Sequence, residues 1–135
     1  MHALGKHLLV ELRECNPTKI IDLREVTDAL VGAANAAKAT IVDVSFHEFN
    51  PFGISGMVII AESHLSIHTW PEYNYAAVDI FTCGDIINPD LAAKYLIDKF
   101  ESKCPSIMEL KRGIISEADV KLPHKVFSDE FQYVS

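Results

Sequence analysis

The alternation of apolar and polar residues divides the chain into strands around two helices. Residues 4–15, LGKHLLVELREC, alternate in part and predict a first strand, closed by a turn at NPTK. From Asp22 the apolar positions recur at helical spacing, with Leu23, Val26, Ala29, Leu30, Ala33, Ala34 and Ala37 on one face. Asp22 suits the N-cap, and Glu25 stands where a capping box places its carboxylate. Residues 39–49 alternate and are rich in β-branched side chains, so they predict a strand. Regular pleating would put Ile41, Asp43, Ser45, His47 and Phe49 on one face and Val42, Val44, Phe46 and Glu48 on the other.

After a turn at NPFG, ISGMVIIAES and HLSIHTW predict two strands or one bent strand. PEYN is a turn with φ fixed by Pro71, and YAAVDIFTC is a further strand. Asn88-Pro89 is a helix start, N-cap then proline. That helix is expected to reach about Lys103, with Leu91, Tyr95, Leu96 and Phe100 inward. SIMELKRG, 106–113, reads as a last strand, and 116–135 as irregular. The order β-α-β-β-β-β-α-β with hairpin-like links predicts an α+β fold, a two-layer sandwich of a mainly antiparallel sheet with helices on one face. The other face of so small a sheet needs cover, and a second subunit is the expected one. With no repeat and no linker, residues 1–135 are read as a single domain.

Charge and cysteine usage narrow the function. The net charge is −7 and no Lys/Arg block occurs, which argues against nucleic acid and anionic membrane as partners. No apolar run approaches the ~18–20 residues of a membrane span. The N-terminus lacks a signal-peptide pattern, and three cysteines without CxxC spacing fit a reducing cytoplasm. The glycines match no phosphate-binding loop. His64 and His68 would chelate a metal from a helix, but their surroundings read as strand, so no metal site is expected.

The stretch 59–84, IIAESHLSIHTWPEYNYAAVDIFTCG, carries the candidate chemistry. Singly, each polar residue has an ordinary reading. Cys83 suits a buried structural cysteine, His68 a hydrogen-bonded strand histidine, Glu62-Ser63 a bend and Glu72 a solvated turn. Phe49, on an otherwise polar face, suits interface packing. Their concentration within residues 49–83 is what these readings explain poorly, because perturbed acid and base groups gather at sites.

SGMVIIAESHLSIHTWPEYNYAAVDIFTCG, together with LGKHLLVEL and ATIVDVSFHEFNPFGISG, closely resembles the small prokaryotic S-adenosylmethionine decarboxylases, which are pyruvoyl-dependent proenzymes. The likeness covers most of the chain and weakens over the last 25 or so residues. It implies self-cleavage between Glu62 and Ser63, into 1–62 and 63–135, with Ser63 converted to a pyruvoyl cofactor. Ser55 and His68 match processing residues. The pyruvoyl group would form a Schiff base with the substrate, and Cys83 matches the acid that protonates the carbanion left by CO2. Phe49 matches the ring that stacks on adenine, and Glu72 the carboxylate that holds the ribose. Related enzymes are homodimers stacked αββα, with active sites at the interface. The implied product serves spermidine synthesis.

Regular pleating would send Ser63 and His68 to opposite faces, so a break or bulge just after Ser63, or a contribution from a partner chain, is expected. Three other readings stand beside the first: a pyruvoyl-dependent arginine or ornithine decarboxylase, a Cys/His hydrolase using Cys83 and His68, and a non-catalytic binding domain.

Overall fold

In a computed structural model, which describes residues 3–115, the chain forms β1 (Gly5–Arg13), α1 (Pro17–Ile20), α2 (Leu23–Ala36), β2 (Ile41–Glu48), β3 (Ile54–Ile60), β4 (Ser63–Trp70), β5 (Tyr75–Cys83), α3 (Pro89–Lys99) and β6 (Cys104–Arg112). A 3-10 turn, Pro71–Tyr73, links β4 to β5. The segment 116–135, read as irregular from sequence, lies outside the described residues.

The six strands make one sheet in the order β2-β3-β4-β5-β1-β6, and every pairing is antiparallel. Period-two alternation sorts the side chains. Leu8, Val10 and Leu12 of β1, Val58 and Ile60 of β3, Leu65 and Ile67 of β4, and Val78 and Ile80 of β5 are buried on the helical side. Against them pack Val26, Leu30, Ala33 and Ala34 of α2 and Leu96 and Phe100 from α3 and its end. Among the described residues, no helix covers the opposite face. Met57, Ile59, Trp70, Met108 and Leu110 remain exposed there among polar side chains. The two-layer α+β architecture is thus as the pattern predicts.

Several details depart from it. NPTK is not a bare turn: Asn16 caps one helical turn by accepting from the Thr18 N–H at 3.1 Å. Asp22 does occupy the N-cap of α2, but its side chain makes no capping bond. A register shift between Ile41 and Asp43 moves Ile41 to the core side, opposite Ile60, instead of sharing a face with Asp43. The helix that starts at Asn88-Pro89, α3, ends at Lys99, not Lys103, because Glu101 takes a left-handed φ of 54°. Leu91 is exposed rather than inward, and Ala92, Ala93, Leu96 and Phe100 form the buried stripe. The last strand begins at Cys104, two residues before the expected start.

Candidate active site

Ser63 opens β4 immediately after a tight turn at Ala61-Glu62. The β3–β4 and β4–β5 ladders run through without a bulge, with Ser63 opposite Ile60 and Thr82. The expected break is instead in the backbone of Ser63 itself, whose φ is +142°. Residues with side chains rarely adopt that region, and holding one there costs on the order of 1–3 kcal/mol. The twist links Ser63 to the open face: its Oγ lies 3.5 Å from Sγ of Cys83, which alternation places beside Phe81 and Asp79 on that face.

Cys83 touches the turn a second time. Its backbone N–H donates to the carbonyl oxygen of Glu62 at 2.8 Å. One residue therefore polarises the carbonyl before Ser63 and presents a thiol to the Ser63 hydroxyl. Gly5, opposite Cys83 in the ladder, keeps this corner open, since a Cβ there would fall 2.8 Å from the Cys83 sulfur and 2.7 Å from the Phe81 ring.

A polar chain runs inward from this corner. Arg112 donates to His7 Nδ1 at 3.4 Å, and His7 Nε2–H donates to Asp79 at 3.0 Å. The Ser66 hydroxyl also reaches Asp79, at 3.4 Å. The Arg112 guanidinium lies 4.5 Å from the centre of the Phe81 ring. His64 packs edge-on against the same ring, and burial first, then the neighbouring His7 and Arg112, push its pKa below the ordinary 6.5, against the pull of Asp79. His7 and Arg112 escaped the sequence reading because they come from terminal strands, and only the β1–β5 and β1–β6 registers bring them here.

Ser55 and His68 face each other across β3 and β4, with Oγ and Nδ1 sharing a hydrogen bond of 2.7 Å. Five positions separate His68 from Ser63 along β4, about 16 Å at strand rise. Phe49, half exposed, stacks edge-on with His47 at 4.5 Å, and its N–H donates to Gly53 beside Thr69. Glu72 is exposed in the 3-10 turn after Trp70. The predicted site residues thus form two groups on one sheet. Glu62, Ser63 and Cys83 meet at one end of β4, while Ser55, His68, Phe49 and Glu72 gather toward the other. Cys83 and His68 are farther apart still: His68 pairs with Ala77, six residues before Cys83, roughly 20 Å along the strand. They make no nucleophile–base pair within one protomer.

The chain is similar to known proteins in sequence and fold. The family model for S-adenosylmethionine decarboxylase matches residues 6–113. An S-adenosylmethionine decarboxylase proenzyme of Thermodesulfovibrio yellowstonii is 63% identical over 134 residues, which are 99% of this chain and 99% of the relative. One from Acidithiobacillus ferrooxidans is 52% identical over 113 residues, 84% of this chain and 85% of the relative. The crystal structure of the adenosylmethionine decarboxylase from Aquifex aeolicus superposes with a TM-score of 0.81 at 35% identity, over 89% of this chain and 99% of that one. A turn that engages the carbonyl before a strained serine, in a chain with this sheet order and these relatives, places the protein in the S-adenosylmethionine decarboxylase family.

Proposed function

We propose that this chain is a self-processing S-adenosylmethionine decarboxylase, cleaved between Glu62 and Ser63 into 1–62 and 63–135. The observation that carries the reading is the hydrogen bond from the Cys83 N–H to the Glu62 carbonyl, next to a Ser63 held at φ +142°. A serine hydroxyl is a weak nucleophile and needs a held geometry and a donor at the developing oxyanion. Attack of Ser63 Oγ on the Glu62 carbonyl would load negative charge onto the oxygen that Cys83 N–H already holds. Transfer of the acyl group to Oγ frees the Ser63 nitrogen. Removal of the Ser63 Cα proton then expels the new C-terminal carboxylate of Glu62 from Cβ, which forms the Cα=Cβ double bond and separates the chains. Hydrolysis of the resulting dehydroalanine releases ammonia and leaves a pyruvoyl N-terminus on 63–135.

That pyruvoyl group supplies a carbonyl for the substrate amine and a sink for the electrons released with CO2. Ser63 fits as its source, since it begins a strand beside a thiol and a donor-bound carbonyl. The 3.5 Å between the Cys83 thiol and Ser63 Oγ supports Cys83 as the acid that returns a proton to the substrate carbon. Phe49 offers an exposed aromatic face for adenine, and Glu72 a carboxylate for the ribose hydroxyls. An arginine or ornithine substrate would use neither group, so this pair favours the nucleoside.

The separation of the two groups along β4 supports a homodimer. If two open faces pack together about a two-fold axis running across the strands, the Ser63 end of one protomer meets the His68 end of the other. The exposed Met57, Ile59, Met108 and Leu110 on that face support the same packing. The helices would then lie outside, as an αββα stack. No helix among the described residues is long and apolar enough to cross a membrane. Cys15, Cys83 and Cys104 are free thiols, which supports a cytoplasmic setting.

Intact mass spectrometry of the purified protein tests the cleavage. The expected result is two chains, with 63–135 blocked by pyruvoyl, and a single uncut chain for Ser63→Ala. Active protein that remains one 15.0 kDa chain overturns the reading. Release of labelled CO2 from S-adenosylmethionine, arginine and ornithine, measured side by side, settles the substrate.

A further inference from the structure

The turn that carries the proposed cut is tied on its other side by a residue with no part in the mechanism above. Thr40 lies between α2 and β2. Its carbonyl accepts from the Ala61 N–H at 2.9 Å. Its own N–H donates to Oε1 of Glu62 at 3.1 Å, and its hydroxyl donates to Oε2 at 3.3 Å. Both carboxylate oxygens of Glu62 are thus engaged by one residue, while the Glu62 carbonyl is engaged by Cys83.

These bonds fix Glu62 at both its side chain and its main chain. If the carboxylate were free, the peptide between Glu62 and Ser63 could rotate, relieving the strained φ at Ser63 and taking the carbonyl off the Cys83 N–H. Reaction between Ser63 Oγ and that carbonyl depends on neither happening. We infer that Thr40 is a positioning residue for self-cleavage, clamping the Glu62 carboxylate so that its carbonyl stays on the Cys83 N–H. The inference rests on the self-cleavage reading above. It also gives a reason for a carboxylate before the cut: Gln can accept at only one of the two positions, and Asp is one carbon shorter.

The ordinary alternative is a turn clamp that only stabilises the fold, and the experiment separates the two. Thr40→Val, Thr40→Ser and Glu62→Gln are followed from synthesis by intact mass to obtain the rate of chain cleavage. Thermal midpoints and turnover per pyruvoyl group are measured on the same samples. Thr40→Val keeps the backbone bond and loses the hydroxyl, so cleavage is expected to slow about three- to tenfold, as for one lost hydrogen bond. Thr40→Ser is expected to restore the rate, Glu62→Gln to slow it, and Thr40→Val to leave the midpoint and the turnover per pyruvoyl group as in the wild type. A wild-type cleavage rate in Thr40→Val overturns the inference. So does a loss of rate that Thr40→Ser fails to restore or that tracks a falling midpoint. A wild-type chain that is never cut at Glu62–Ser63 overturns the self-cleavage reading instead.

Discussion

Ser63 and His68 lie on the same strand, yet their side chains belong to different ends of the sheet, about 16 Å apart. Ser63 contacts Cys83, and His68 contacts Ser55. No rotamer change closes a gap of that size. Joint action of these residues therefore requires two protomers.

Mixed dimers provide the test. Ser63→Ala and His68→Ala chains are co-expressed with distinguishable tags. In a cross-protomer arrangement, one site of the mixed dimer carries both substitutions and the other carries neither. The His68→Ala chain should then be cut in mixed dimers and remain largely uncut when expressed alone. Equal cleavage in both preparations would show that His68 acts within its own chain or not at all.

Cys83→Ser should separate processing from turnover. The N–H that holds the Glu62 carbonyl belongs to the backbone and survives the substitution, so the chain should still be cut. The thiol acid is lost, and turnover should fall by on the order of 10²-fold or more. Single-turnover CO2 release on fully processed protein is the measurement. Undiminished turnover would remove Cys83 from the role of acid.

Phe49→Leu should raise KM for S-adenosylmethionine roughly three- to tenfold, the worth of one aromatic stack. It should leave the cleavage rate alone, because a hydrocarbon ring neither donates nor accepts the protons that cleavage moves. Steady-state kinetics beside the mass time course would show the split, and an unchanged KM would exclude Phe49 from the substrate.

His64 predicts a pH effect on stability. Burial and the neighbouring His7 and Arg112 hold its pKa below the ordinary 6.5, so the unfolded chain takes up its proton first. Stability from the neutral ring is fully present above about pH 6.5 and is lost as pH falls toward the depressed folded value. Melting temperatures recorded across this range should drop less steeply in His64→Gln than in the wild type. Parallel curves would show that His64 is not the group responsible.

Periodicity made the fold legible, because strands with one covered face alternate and helices over a sheet repeat at 3.6. It failed where a local event overrode it. The bulge beside Val42 moved Ile41 to the other face, and a left-handed Glu101 stopped α3 early. Glu62, Ser63, Cys83, Ser55 and His68 could be named from sequence through a family likeness, but their division into two groups could not. That division depends on register, and register is set by pairings between distant segments. Thr40 carried no signal, since a threonine before a strand is ordinary until its partner across the turn is known.

The sheet order interleaves the two halves that the proposed cut would create. β1 comes from 1–62 but lies between β5 and β6 of 63–135, and β3 is paired along its length with β4. Cleavage would therefore change the molecularity of folding without changing the fold. The uncut chain carries all six strands and would need no second fragment to complete its sheet. The mature protein, once unfolded, would be two molecules that must find each other again, each with a vacant place in its sheet, so recovery would fall with dilution and loss of structure would become effectively permanent.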